Sequence, residues 1–170
     1  IHLDLLGGIS GDMFLSALFD VWPELINEFT KNISSSEFRD KFIISIDSHT
    51  DNILSGSKIT IKYTKTLNQR STTWQEIHSR IDKSNLPNST KTIAIKIFTE
   101  LALAESKVHG VKSEDITFHE LGAWDSIADI LTSAWLINRL SHVKWSASSL
   151  PLGSGRIDTH HGKLPVPVPA

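Results

Sequence analysis

Cysteine is absent from this 170-residue sequence, which excludes disulfides and thiolate ligands and leaves His, Asp and Glu as the strong donors for any metal. The eight histidines therefore carry more weight. No charge of either sign is in excess. A net charge of -2 with a pI near 6.5 argues against a nucleic-acid binder working through a broad basic surface, although a local patch stays compatible. No apolar run approaches the length of a membrane span, and the first residues lack a basic region followed by an apolar stretch and a cleavage site. The expectation is a cytoplasmic protein without a membrane partner. Apolar residues at 39% and charged residues at 21% fit a soluble globular chain rather than a disordered one. The length suits one domain with a sizeable core, or one compact domain with a small appendage. No internal repeat or low-complexity segment is visible.

Four ionisable side chains, His119, Glu120, Asp125 and Asp129, crowd the otherwise small or apolar stretch FHELGAWDSIADI at 118–130. The apolar run after Trp124 predicts a helix, in which Asp125 and Asp129 lie four residues apart on one face. Ile127, Ile130, Leu131 and Ala134 read as core, so the Asp129 carboxylate is expected to be at least partly buried. A buried carboxylate needs a partner, a metal or a proton. Gly122 permits a sharp turn that folds His119 and Glu120 over the helix start. Imidazole with carboxylates suits a divalent transition metal. The plainer reading stands beside it: Asp125 as a helix N-terminal acid favoured by the macrodipole, and His119 satisfied by a backbone carbonyl.

Taken in order, the chain opens with a strand over 1–6 that runs into GGISGD. The helix after this turn is apolar nearly all round from Met13 to Trp22, which predicts burial and an end at or before Pro23. Glycines and a helix N-terminus can hold a phosphate, making Gly8, Ser10 and Gly11 candidate cofactor-binding residues. The turn lacks the lysine of a P-loop and the spacing of a dinucleotide fingerprint, so a plain strand-to-helix turn is the alternative. Asp12 opposes a phosphate unless a cation lies between them, and is itself a candidate metal ligand. Residues 24–41 show helical spacing at Ile26, Phe29 and Ile33, and 42–63 read as two antiparallel strands around DNILSGS. Residues 64–73 read as a loop, and Thr73 with Glu76 as a capping box opening a short helix through Ile81. Ser89 or Thr90 caps a longer helix ended by Gly110, with His109 a C-terminal residue favoured by the dipole. The Trp124 helix runs to about Leu140, with Trp135 and Leu136 off the core stripe and so covered on two sides. A strand over 143–150, a turn, and an extended pair RIDT and KLPV around His160 and His161 follow. The tail LPVPVPA continues neither a helix nor a central strand. The fold class expected is α/β (α+β), a single domain in which a mixed β-sheet, from strands near residues 2, 44, 60, 146 and 157, packs with helices.

Taken together, GGISGDM, the helix end LALAESKVHG at 101–110, FHELGAWDSIADI and PLGSGRIDTHHGKLPVPVPA resemble the LarC family, nickel insertion proteins of nickel-pincer cofactor biosynthesis. The resemblance spans almost the whole chain. It implies a nickel insertase (cyclometallase, lyase class) that places nickel into pyridinium-3,5-bisthiocarboxylic acid mononucleotide, consuming CTP with Mg or Mn, to make the cofactor of lactate racemase. It also implies that 1–160 form an N-terminal domain and 161–170 begin a Pro-rich linker to a C-terminal domain, the part associated with nucleotide. A homo-oligomer is compatible. Many relatives carry a His-rich insertion where this chain has TKTLNQRSTTW, so a nickel-storing cluster is absent here. The positions matching the family pattern with metal or polar-ligand chemistry are Asp4, Asp12, His109, His119, Glu120, Asp125, Asp129 and His161, whereas His160 departs from it. The metal set expected is His119, Glu120, Asp125, Asp12 and His161, with Asp125 or Glu120 as the base that removes the pyridinium C4 proton. Two rivals are a non-catalytic scaffold for the C-terminal half and a metal-dependent phosphohydrolase.

Overall fold

The computed structural model describes residues 1–6, 8–34, 36, 38, 42–63, 72–118, 124–151, 153–159 and 162–166, with backbone alone at 34, 63, 124, 125, 159, 164 and 165. Its order is β1 (His2–Leu3), α1 (Gly11–Val21), α2 (Glu24–Ser34), β2 (Phe42–Thr50), β3 (Ser55–Tyr63), β4 (Thr72–Thr73), α3 (Trp74–Lys83), α4 (Asn88–His109), a 3-10 turn at Ser113–Asp115, β5 (Thr117–Phe118), α5 (Trp124–Arg139), β6 (Ser146–Ala147), β7 (Arg156–Thr159) and β8 (Gly162–Pro165). Helices and strands mix in one domain, as expected, but among the described residues the strands near 2, 44, 60, 146 and 157 form small separate sheets rather than one mixed sheet. The described strands pair two by two: β1 with β6 in parallel, and β2–β3, β4–β5 and β7–β8 antiparallel.

α5 is the centre. Ile127, Ala128, Leu131, Thr132, Ala134, Trp135 and Leu136 are buried, so the helix is covered on two sides as its sequence predicts. The one hydroxyl in that set, on Thr132, donates to the Ala128 carbonyl at 2.7 Å and so costs little to bury. α4 packs against α5, and its stripe of Ala94, Phe98 and Ala102, spaced four apart, is fully excluded from solvent. Phe98 stacks on Trp74 of α3 at 5.9 Å and tilts against Phe118 of β5 at 6.1 Å, which ties α3, α4 and β5 together. On the other side Phe29 of α2 meets Trp135 edge-on at 5.3 Å.

Local chemistry sets most element ends. Pro23 holds Trp22 out of the helical region (φ -128°, ψ 69°) and stops α1. The Thr73 hydroxyl accepts from Glu76 N and the Glu76 carboxylate accepts from Thr73 N, both at 3.2 Å, the reciprocal box the sequence predicts. Gly110, at φ 67°, ends α4 in the left-handed conformation. In the β2–β3 hairpin Asn52 takes a positive φ, and the Asp51 carboxylate accepts from Ile53 N and Leu54 N.

Four expectations change. α4 starts at Asn88 with Pro87 at the N-cap and no side-chain cap, so that Ser89 and Thr90 already lie inside its first turn and Thr90 is buried in the core. Thr72 and Thr73 pair with β5 rather than ending a loop, and 64–71 lie outside the described residues. The 1–6 and 143–150 strands shrink to His2–Leu3 and Ser146–Ala147, since each pairs only with the other. α1 is not buried all round: Leu15, Leu18 and Phe19 face the core, while Met13 and Val21 are 51% and 62% exposed, because α5 and β3 cover one side only. No helix among the described residues is long and apolar enough to cross a membrane.

Candidate functional site

Beyond the carboxyl end of the parallel pair β1–β6, the segment after β1 leads to the GGISGD turn and α1, and the segment after β6 bonds to it. In sheets of parallel strands this edge is where ligands gather. Ser148 N donates to Leu3 O at 2.9 Å, and Leu5 N donates to the Ser148 hydroxyl at 2.8 Å, so the chain after β6 fixes the chain after β1. Asp4 is exposed in this crossing. Gly8 closes the turn by donating to Leu5 O at 2.9 Å, with φ at 85°, a conformation that glycine adopts without a Cβ penalty.

Ser10 stands at the N-cap of α1 with extended backbone, yet its hydroxyl does not cap the helix. It donates to the Asp12 carboxylate instead. The same Asp12 oxygen accepts from Met13 N at 2.9 Å, so an exposed carboxylate is held at the positive end of the helix. A second carboxylate reaches the same turn from α5. A Cβ placed on Gly11 would lie 2.5 Å from Cγ and 2.7 Å from Cβ of Asp129, so the missing side chain of Gly11 is the space that Asp129 fills. Asp12 and the helix that carries Asp129 thus meet at the N-terminal turn of α1, where the exposed Asp12 carboxylate would repel a phosphate and attract a cation.

Of the residues singled out from sequence, Gly8, Ser10, Gly11 and Asp12 form this turn, and Asp129 joins it through packing. Position 125 lies in the first turn of α5, one turn before Asp129 on the same helix face; its side chain, His119, Glu120, His160 and His161 lie outside the described residues. His109 is elsewhere, at the end of α4, where Nε2 is 3.1 Å from the Glu105 carboxylate one turn back. Among the described residues no group of three His, Asp or Glu side chains is close enough to hold a metal ion. Ser148 is the residue that sequence reading missed. It lies 143 positions from Leu5, and nothing local in the sequence marks it.

The model of a family described as "Nickel insertion protein" matches residues 1–170. Similar chains include the pyridinium-3,5-bisthiocarboxylic acid mononucleotide nickel insertion proteins of Staphylococcus saprophyticus and Acetivibrio thermocellus, each 34% identical over all of this chain and over 42% and 43% of their own lengths. That of Staphylococcus epidermidis is also 34% identical, over 42% of its length. The chain therefore spans less than half of these relatives. No solved structure matches it.

Proposed function

Because the chain belongs to the nickel insertion protein family, we propose that it supplies the N-terminal part of a nickel insertase acting on pyridinium-3,5-bisthiocarboxylic acid mononucleotide. The observation that carries this reading is the seating of α5 against Gly11 in the first turn of α1, the turn that carries the exposed Asp12, with position 125 one turn before the contact on α5. Nickel is the cargo. In this reading Asp12 and Asp125 give it carboxylate oxygens, and His119, Glu120 and His161 complete the set. Imidazole suits Ni²⁺, whereas carboxylates bind it less firmly and allow release to the pincer ligand. The mononucleotide phosphate approaches through Gly8, Ser10 and Gly11 with the metal ion between it and the acids, which removes the repulsion of Asp12. Asp125 or Glu120 takes the pyridinium C4 proton as the carbon–metal bond forms, which leaves the ring carbon as the metal-bound anion.

CTP turnover with Mg or Mn, the lyase assignment, the manufacture of the lactate racemase cofactor and a linker from 161 onward extend the same reading. The GGISGD turn has no lysine for a triphosphate, so the CTP step is assigned to the part of the relatives that this chain does not span.

Calorimetric titration of Ni²⁺ into the chain tests the reading, with His119→Ala and Asp125→Ala beside the wild type and circular dichroism checking the fold. Wild-type binding that falls at least tenfold in both folded variants supports it. Equal binding in all three moves the metal elsewhere, and no binding by the wild type favours the scaffold reading.

A further inference from the structure

The close approach of α5 to Gly11 carries a consequence for how the site is held. The atoms that a Cβ on Gly11 would meet include Cβ of Asp129, at 2.7 Å, and not only the end of its side chain. A carboxylate tip can swing aside, but a Cβ moves only with its helix. α5 in turn is fixed by Ile127, Ala128 and Leu131, all buried on either side of Asp129 in sequence. Along α1 the next residue after Gly11 is Asp12, and along α5 the position one turn before Asp129 is 125.

Resting on the nickel reading above, we propose that Asp129 is a positioning residue: seated where a side chain on Gly11 would stand, it sets the spacing between the α1 turn that carries Asp12 and the α5 turn that carries position 125. The absence of a side chain at Gly11 is then a requirement of the site. An added methyl group must push the two helix starts apart by several tenths of an ångström to about 1 Å, a misplacement able to cost on the order of a hundredfold in a reacting centre. Asp129 acts through this spacing, and shape rather than charge is what it contributes.

The test uses six chains: wild type, Asp12→Asn, Gly11→Ala, Asp129→Asn, Asp129→Gly and the double variant Gly11→Ala with Asp129→Gly. Glycine is the relief substitution at 129 because alanine would leave the offending Cβ in place. Thermal midpoints and Ni²⁺ titrations are read on each. Asp129→Asn keeps nickel affinity within about threefold, since asparagine conserves the shape. Gly11→Ala lowers the midpoint and weakens nickel by about ten- to a hundredfold, and in the Asp129→Gly background it no longer lowers the midpoint. Loss of nickel in Asp129→Asn as deep as in Asp12→Asn makes Asp129 a ligand and overturns the positioning role. So does a midpoint that Gly11→Ala leaves unchanged, even with nickel binding intact in the wild type. If the wild type takes up no nickel while the midpoints remain coupled, the nickel reading fails and the packing alone survives.

Discussion

At the scale of single residues, Asp12 does work that its position in sequence only half announces. An acid in the first turn of a helix is ordinarily explained by the macrodipole. Here its carboxylate also takes the hydroxyl of Ser10, which would otherwise cap α1, and the residue before it, Gly11, is packed against Asp129 of α5. In the nickel reading the Asp12 carboxylate is a ligand. Asp12→Asn is expected to keep the fold, to change the unfolding midpoint little, and to weaken Ni²⁺ at least tenfold; thermal unfolding and calorimetry check the two halves. A fall in midpoint with unchanged nickel binding would return Asp12 to a plain helix-end role. The FHELGAWDSIADI stretch made Asp129 visible as a partly buried acid in a core helix. Its neighbour Gly11 stayed hidden, because a contact across 118 positions leaves no local mark in sequence.

At the scale of elements, turn and cap chemistry was legible and pairing reach was not. The Thr73 and Glu76 box, the Gly110 stop and the Asp51–Leu54 turn are all local, so side-chain chemistry within four residues determines them. The lengths of β1 and β6 depend on each other from opposite ends of the chain, and sequence period alone overstated both. Two predictions belong here. Thr73→Ala removes the acceptor for Glu76 N and should cost about 1 kcal/mol, read by chemical denaturation. In the hairpin, the backbone N–H groups of Leu54 and Ile53 hold the Asp51 carboxyl below the ordinary aspartate range. A depressed folded pKa gives stability that is complete above the unfolded pKa and is lost as pH falls through the folded one. An NMR pH titration should place the Asp51 midpoint below that of an unstructured aspartate, with hairpin amide shifts moving along the same curve. A midpoint at or above the unstructured value would contradict the turn geometry.

At the scale of the whole molecule, α5 joins two halves. Its far end packs on α2 through Trp135 and carries Arg139, whose Nε is 3.0 Å from Glu28, while its first turns face α1. The long-range ion pair is half exposed and worth little by itself. The rigidity comes from the buried face of the helix, and this is what allows α5 to hold an acid against Gly11. The same arrangement leaves one side of α1 open, with Met13 and Val21 in solvent, which a pattern of apolar residues all round the helix had led one to expect covered. Helical period reports how apolar a face is; it does not report whether the fold supplies a neighbour.

The most direct test of the central claim is to map the metal by NMR, recording backbone amide signals of the chain as paramagnetic Ni²⁺ is added. The account predicts line broadening centred on residues 10–13 of the α1 start and 124–129 of the α5 start, falling away along both helices. Broadening centred instead on the Glu105 and His109 pair at the end of α4, with the α1 and α5 starts left sharp, would contradict it.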